Sequence, residues 1–271
     1  FSPDLERLED DIKATYVRGF RELLQKNRSE DILPTLQDEA AEGSTDYAKA
    51  VLTLTRSINM TQARIDGATY DQLLKMPQAP EQLSEILGLE LPAHLIQAPA
   101  HMSAAYKAWS DPDDPVLLQG LEADRRALSN AITQTEHFAW LVTWANKQRD
   151  LKPVTLRTFW LPGSQGPNVG PIPPALTLAG QRKIHEFLNE IEQALNNSTN
   201  YQFKRGAFEA WYQTERFNAW QSFAWSFDDG ELLLANEPAW RDLVTKVDTD
   251  TSPYYAFIDR LREEFAGIPD E

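Results

Sequence analysis

Residues 163–170 read Gly-Ser-Gln-Gly-Pro-Asn-Val-Gly, a glycine-rich loop of the kind whose backbone N–H groups can cradle a phosphate. A P-loop also needs a Lys directly after its last Gly, so that a cation meets the phosphates at a helix start. Pro171 stands there instead, and with three Gly and four Pro between positions 163 and 174 the stretch reads as a surface loop. The turn Asp111-Pro112-Asp113-Asp114-Pro115 has the oxygen chemistry to hold a hard cation. An EF-hand loop, however, needs ligands at alternating positions, a central Gly and a distal Glu, and prolines interrupt this one. It reads as a solvated turn that caps a helix.

Four histidines are present, His94, His101, His137 and His185. None forms His-Glu-x-x-His and no two lie three or four apart, the spacing that puts two imidazoles on one helix face to share a zinc ion. His185 has Glu186 and Glu190 nearby in sequence, a common arrangement for a surface His. There is no Gly-x-Ser-x-Gly elbow for a serine nucleophile, and no cysteine for a thiolate nucleophile, a thiolate metal site or a disulfide. Carboxylates are too abundant for any pair to stand out as a glycosidase dyad. The expectation is therefore a protein that is not an enzyme, with no catalytic residues, cofactor or metal site.

The most aromatic stretch runs over residues 203–227, with Trp211, Phe217, Trp220, Phe223, Trp225 and Phe227. Exposed, such rings would suit a carbohydrate platform or a cage for a cation. As a helix, the stretch places Phe217, Trp220, Ala224 and Phe227 on one face and Trp211 and Trp225 on another. A helix apolar on several faces reads as a core helix with more than one neighbour.

The elements that hold these residues read as helices. Pro3 and Asp4 open the first, with Ser2 at its N-cap and an apolar line through Leu5, Leu8, Ile12, Tyr16, Phe20 and Leu23. A shorter helix starts at Arg28 and ends near Gly43. Ser44 or Thr45 caps the next, whose line of Tyr47, Val51, Leu54, Ile58 and Ile65 stops at Gly67. Prolines 77, 80, 92 and 99 break the following stretch into short helices. Helical patterns resume over residues 100–109, 116–146, 177–195, 237–247 and 252–265. Only Pro153 to Trp160, rich in β-branched and aromatic residues, reads as a strand. The predicted fold is mainly α, a multi-helix bundle or array with at most a small β element near residues 153–161. The predicted division is a helical region 1–149 and a second helical region 150–271, the latter led by that strand and the Gly/Pro-rich loop.

The chain has 271 residues, of which 42% are hydrophobic and 25% charged, enough to bury a core. A net charge of −15 opposes binding to nucleic acid or to an anionic lipid surface. No apolar run reaches the roughly 20 residues of a membrane-spanning helix. Because the chain opens at Phe1 with no signal peptide, it is read as a section of a longer protein.

Four stretches together resemble the IcmF/TssM family, the large inner-membrane component of bacterial type VI secretion systems. In residues 51–67, Arg56, Ile58, Asn59, Ala63, Arg64 and Gly67 fit one family helix. Pro174, Ala175, Thr177 and Gly180 fit a loop-to-helix motif, although Leu176 stands where the family usually has an aromatic. Trp211, Phe217, Trp220 and Phe223 fit an aromatic helix, and Ser252-Pro253 leads into Ile258, Leu261 and Phe265. The resemblance implies the periplasmic side of an inner-membrane protein of a Gram-negative bacterium. It implies as partners the outer-membrane lipoprotein TssJ, the inner-membrane protein TssL and other copies of the same chain. The family's P-loop is absent from these residues.

Three functions follow as expectations. The first is a structural scaffold section of the type VI secretion trans-envelope complex, acting through protein–protein contacts, with no nucleic acid and no membrane insertion by these residues. The second is a carbohydrate- or peptide-binding module using exposed aromatics. The third is a divergent hydrolase with dispersed carboxylates.

Overall fold

A computed structural model describes residues 3–38, 44–78, 84–85, 91–95, 97–135, 138–162, 170–234, 237–246, 249 and 252–266. The described residues form twelve α-helices and no sheet, so the mainly α expectation holds. In chain order these are α1 Pro3–Asn27, α2 Leu33–Gln37, α3 Thr45–Ile65, α4 Tyr70–Leu74, α5 Ala98–Trp109, α6 Pro115–Gln134, α7 Trp140–Asn146, α8 Leu156–Trp160, α9 Leu178–Ala194, α10 Thr199–Trp225, α11 Glu237–Lys246 and α12 Pro253–Glu264. The chain forms two compact units, one of Phe1–Trp140 with Phe187–Arg205, the other of Leu141–Glu186 with Gly206–Glu271. Each unit is thus made of two separate stretches of sequence.

In the first unit α3 is the central element, in contact with α2, α4, α5 and α6. Ser44 caps it, its Oγ accepting from Tyr47 N–H at 3.0 Å. Tyr47, Val51, Leu54 and Ile58 are all buried. On α1 the expected apolar line divides: Phe20 packs on Tyr106 of α5, ring centroids 5.2 Å apart, whereas Leu5, Leu8 and Ile12 remain exposed. No new helix begins at Arg28. A π-helical turn, Arg28–Ile32, carries α1 into α2. Pro34 has no N–H and its ring crowds the preceding turn, and the wider π turn relieves both. Trp140 lies between Tyr47 and Phe187, each edge-on with centroids 5.6 Å away. Lys204 Nζ donates to the carbonyls of Ile132, Thr133 and Thr135 at 2.6–3.0 Å, a cation on the C-terminal end of α6.

The predicted strand in residues 153–160 is a correction. Only Val154 pairs, in an isolated antiparallel bridge with Ile172, and Leu156–Trp160 is the helix α8. Pro153 cannot donate to a ladder. Thr155 N–H turns back to Thr158 Oγ1 at 3.3 Å, starting a helix that buries Leu156, Phe159 and Trp160 together. Burial has overridden β propensity. The pattern over 116–146 also divides, at Thr135, whose hydroxyl donates to Ala131 O at 2.8 Å and whose backbone is extended.

The core of the second unit is aromatic. Phe227 stacks on Phe257 at 4.5 Å, and Phe159 meets Phe223, Phe227 and Phe257 edge-on at 5.5–6.0 Å. Such pairs add about 0.5–1.5 kcal/mol each beyond their burial. Trp160 donates from Nε1 to Phe227 O at 3.0 Å and its indole fills the place of a side chain at Gly230, where a Cβ would come within 2.0 Å of it.

Candidate interaction surface

Within the second unit α10 contributes residues 206–225, and its two faces are unlike. On the inner face Tyr212, Arg216 and Trp220 follow at four-residue spacing, so they stack along one side of the helix. Opposite them is the 3₁₀ turn Pro174–Leu176. Tyr212 Oη donates to Ala175 O, while Trp220 Nε1 and Arg216 Nε donate to Leu176 O at 3.1 and 3.3 Å. Thr177 Oγ1 donates to Pro174 O at 2.7 Å and accepts from Gly180 N–H at 3.1 Å. Gly180 is tight against this turn: a Cβ there would lie 2.2 Å from Pro174 O. Burial raises the Tyr212 phenol well above its ordinary value, so it stays a neutral donor.

Arg216 and Glu264 are each 1% exposed. The guanidinium donates from Nη2 to Glu264 Oε2 at 3.1 Å and to Glu264 O at 3.0 Å, and from Nη1 to Gln181 Oε1 at 2.6 Å. It also lies over the Phe265 ring, 5.3 Å from its centroid. Glu264 accepts from Leu178 N–H at the start of α9, where a helix favours a negative charge. Arg260 Nη2 lies 2.7 Å from the other carboxylate oxygen, Oε1, and a buried ion pair engaged from this many sides is a structural clamp.

The outer face is different. Trp225 is 78% exposed, Phe217 56% and Trp211 41%, against 1% for Trp220. Every exposed residue from Gly206 to Trp225 is uncharged: small (Gly206, Ala207, Ala210, Ala224), neutral polar (Thr214, Asn218, Gln221, Ser222) or aromatic (Trp211, Phe217, Trp225). A quarter of the chain is charged, so a charge-free exposed strip of nearly six turns is unusual. Aromatic enrichment with loss of charge is the composition of an interface centre. Glu215, half-buried, stands at the edge of the strip.

The other residues with chemical promise are separated. His94 is exposed; His101 shares a hydrogen bond of 2.7 Å between Nδ1 and Tyr70 Oη; His185 is on α9; His137 and residues 163–169 lie outside the described residues. Asp114 caps α6, with Val116 N–H at 2.9 Å and Arg21 Nη2 at 2.6 Å. Burial opposes its ionisation, but the Val116 N–H, the Arg21 bond and charge and the Leu117 N–H together hold its carboxyl below its ordinary value. No group of three or more His, Asp or Glu among the described residues could hold a metal ion.

The motif positions quoted above do packing work. Arg56 binds Glu190 with both Nε and Nη2, at 2.7 and 3.0 Å, Asn59 Nδ2 donates to Glu190 O at 2.9 Å and Arg64 Nε to Ser110 O at 3.1 Å. Sequence reasoning missed the buried Arg216 and Lys107, because a charged residue in a helical pattern is ordinarily assigned to solvent. Protein-family models, curated proteins and solved structures give no match to this chain.

Proposed function

We propose that this chain is a structural contact element, with the outer face of α10 as the strip on which another helix docks. The charge-free row of Trp211, Phe217 and Trp225 among small and neutral polar residues carries this reading. Its occupant is a second copy of the same chain. Asn218 and Gln221 each offer both donors and acceptors, so identical amides can pair across a two-fold axis. Gly206, Ala207 and Ala210 allow close backbone approach. A net charge of −15 makes a charge-free strip the place where two copies repel least.

On the four-motif resemblance, the setting of this contact is the periplasmic part of a type VI secretion trans-envelope complex, with TssJ and TssL as further partners. The use of Arg56, Asn59, Pro174, Ala175, Thr177 and Gly180 in packing supports a scaffold role. No described helix is long and apolar enough to cross a membrane.

The test is made in the full-length protein in its own bacterium. Phe217→Asp with Trp225→Asp should abolish effector secretion at normal protein level, while His94→Ala, His101→Ala and Asp111→Ala should leave it intact. Loss of secretion through one of those three polar side chains, in a stable protein, would overturn the contact reading in favour of a catalytic or metal site. Oligosaccharide binding that depends on Trp211 or Trp225 would favour the carbohydrate reading instead.

A further inference from the structure

The first unit contains a cavity of about 180 Å³ lined by α1, α3, α5 and α6. Its walls are mostly apolar, with Leu24, Leu54, Met60, Leu117 and Leu121, and it reaches solvent beside Val116 and Gly120, both exposed. Into these walls are set four cations and one carboxylate: Arg21, Arg28, Arg56, Lys107 and Asp124. Each guanidinium has its own acid. Arg21 pairs with Asp114 at 2.6 Å, Arg56 with Glu190 at 2.7 Å, and Arg28 with Asp124.

Lys107 is the cation left over. It is 5% exposed, and its ammonium makes one hydrogen bond, to Thr61 Oγ1 at 2.5 Å. That hydroxyl already donates to Ser57 O at 2.7 Å. An ammonium has three donors, and the nearby Asp124 carboxylate is held by Arg28. Burial lowers the amine to about 8, with Asp124 partly opposing the shift, so at neutral pH it is mostly charged. The ammonium also lies over the Tyr106 ring, 5.2 Å from its centroid, a contact that takes up none of its N–H donors, so a desolvated cation keeps spare donors beside an apolar void.

We propose that this cavity binds a small organic carboxylate, its anionic head on Lys107 and its compact apolar body against the leucines and Met60. The size fits: an apolar cavity of about 150 Å³ holds benzene. A head-group hydrogen bond to a charged donor gives the orientation, and the walls give the affinity.

The experiment uses the whole chain and titrates it, by calorimetry and by NMR of the methyl groups, with benzoate, cyclohexanecarboxylate, benzamide and inorganic phosphate. Benzoate or cyclohexanecarboxylate should bind saturably, with benzamide and phosphate at least tenfold weaker. Lys107→Met keeps the stem and removes the charge, and it should weaken carboxylate binding tenfold or more while benzamide is unaffected. Gly120→Leu, at the mouth, should weaken every compound by obstructing access. The proposal is overturned by no saturable carboxylate binding with Kd below about 5 mM, by equal binding of benzoate and benzamide, or by unchanged carboxylate affinity in Lys107→Met. If Lys107→Met does not fold, the benzoate–benzamide comparison in the unaltered chain decides.

Discussion

The two faces of α10 in the second unit have similar aromatic content and opposite treatment. On the inner face, Tyr212, Arg216 and Trp220 are buried and each polar head has a carbonyl or carboxylate to bind. On the outer face, Trp211, Phe217 and Trp225 stand in solvent among neutral neighbours. Hydrophobicity alone does not distinguish the faces. What distinguishes them is whether the rest of the unit supplies acceptors: the 174–176 turn does so on one side, and nothing among the described residues does so on the other. The inner face therefore holds the unit together, and the outer face is free to work between molecules.

The largest expected effects lie on the inner face. Arg216→Met leaves the buried Glu264 carboxylate with only the partly exposed Arg260, 2.7 Å from Oε1, as its counter-ion and should cost up to about 3–5 kcal/mol, read from the urea midpoint. Arg216→Met combined with Glu264→Leu should cost less than Arg216→Met alone, because no buried charge is left unpaired. Trp220→Ala removes a buried indole and its bond to Leu176 O, again about 3–5 kcal/mol. A loss of about 0.5 kcal/mol or less in either single variant would break the contrast between the faces.

Lys107, the buried cation of the first unit, sharpens the comparison with Arg216. Its value falls from 10.5 to about 8 on folding, so the unfolded chain binds more protons between those two values. The destabilisation is fully present below about pH 8 and is relieved as pH rises towards 10.5, a gain on the order of 3 kcal/mol. Denaturation curves at pH 7.5 and 10 should show this gain in the unaltered chain relative to Lys107→Met. Asp124, Arg21 and Tyr106, which act on Lys107 or stand beside it, are common to both proteins, so the difference isolates the amine. Equal pH dependence in the two would mean that the ammonium is better solvated than its single hydrogen bond indicates. The smallest effects are on the outer face, where Phe217→Ser and Trp225→Ser should each change stability by about 0.5 kcal/mol or less.

Much of the fold was legible in the sequence. Ser44 before Tyr47, Asp114 before Pro115, and Gly67 after Ile65 mark helix ends that the structure has, because caps are local chemistry. The rotation of α10 was not legible. The face expected to be buried was Phe217, Trp220, Ala224 and Phe227, but Phe217 and Ala224 are exposed and Arg216 takes part in the core instead. A helix with rings all round gives no apolar stripe from which to read its phase. The inward direction was fixed by the 174–176 carbonyls, far away in sequence. The strand expected in residues 153–160 failed for a related reason: Val154, Thr155 and Phe159 suit a strand, but a strand needs a partner, and the described residues supply only the one bridge at Ile172. Lys107 and its cavity were invisible, since nothing local marks a lysine whose carboxylate neighbour belongs to another pair.

The most direct measurement is sedimentation equilibrium of the purified chain at physiological ionic strength. The docking strip predicts reversible self-association to a dimer, abolished by Phe217→Asp with Trp225→Asp while helix content, and the melting temperature at a concentration too low for association, stay as before. A chain that remains monomeric at about 100 μM, or a dimer that survives both substitutions, would contradict the assignment of the outer face of α10 as the contact between copies.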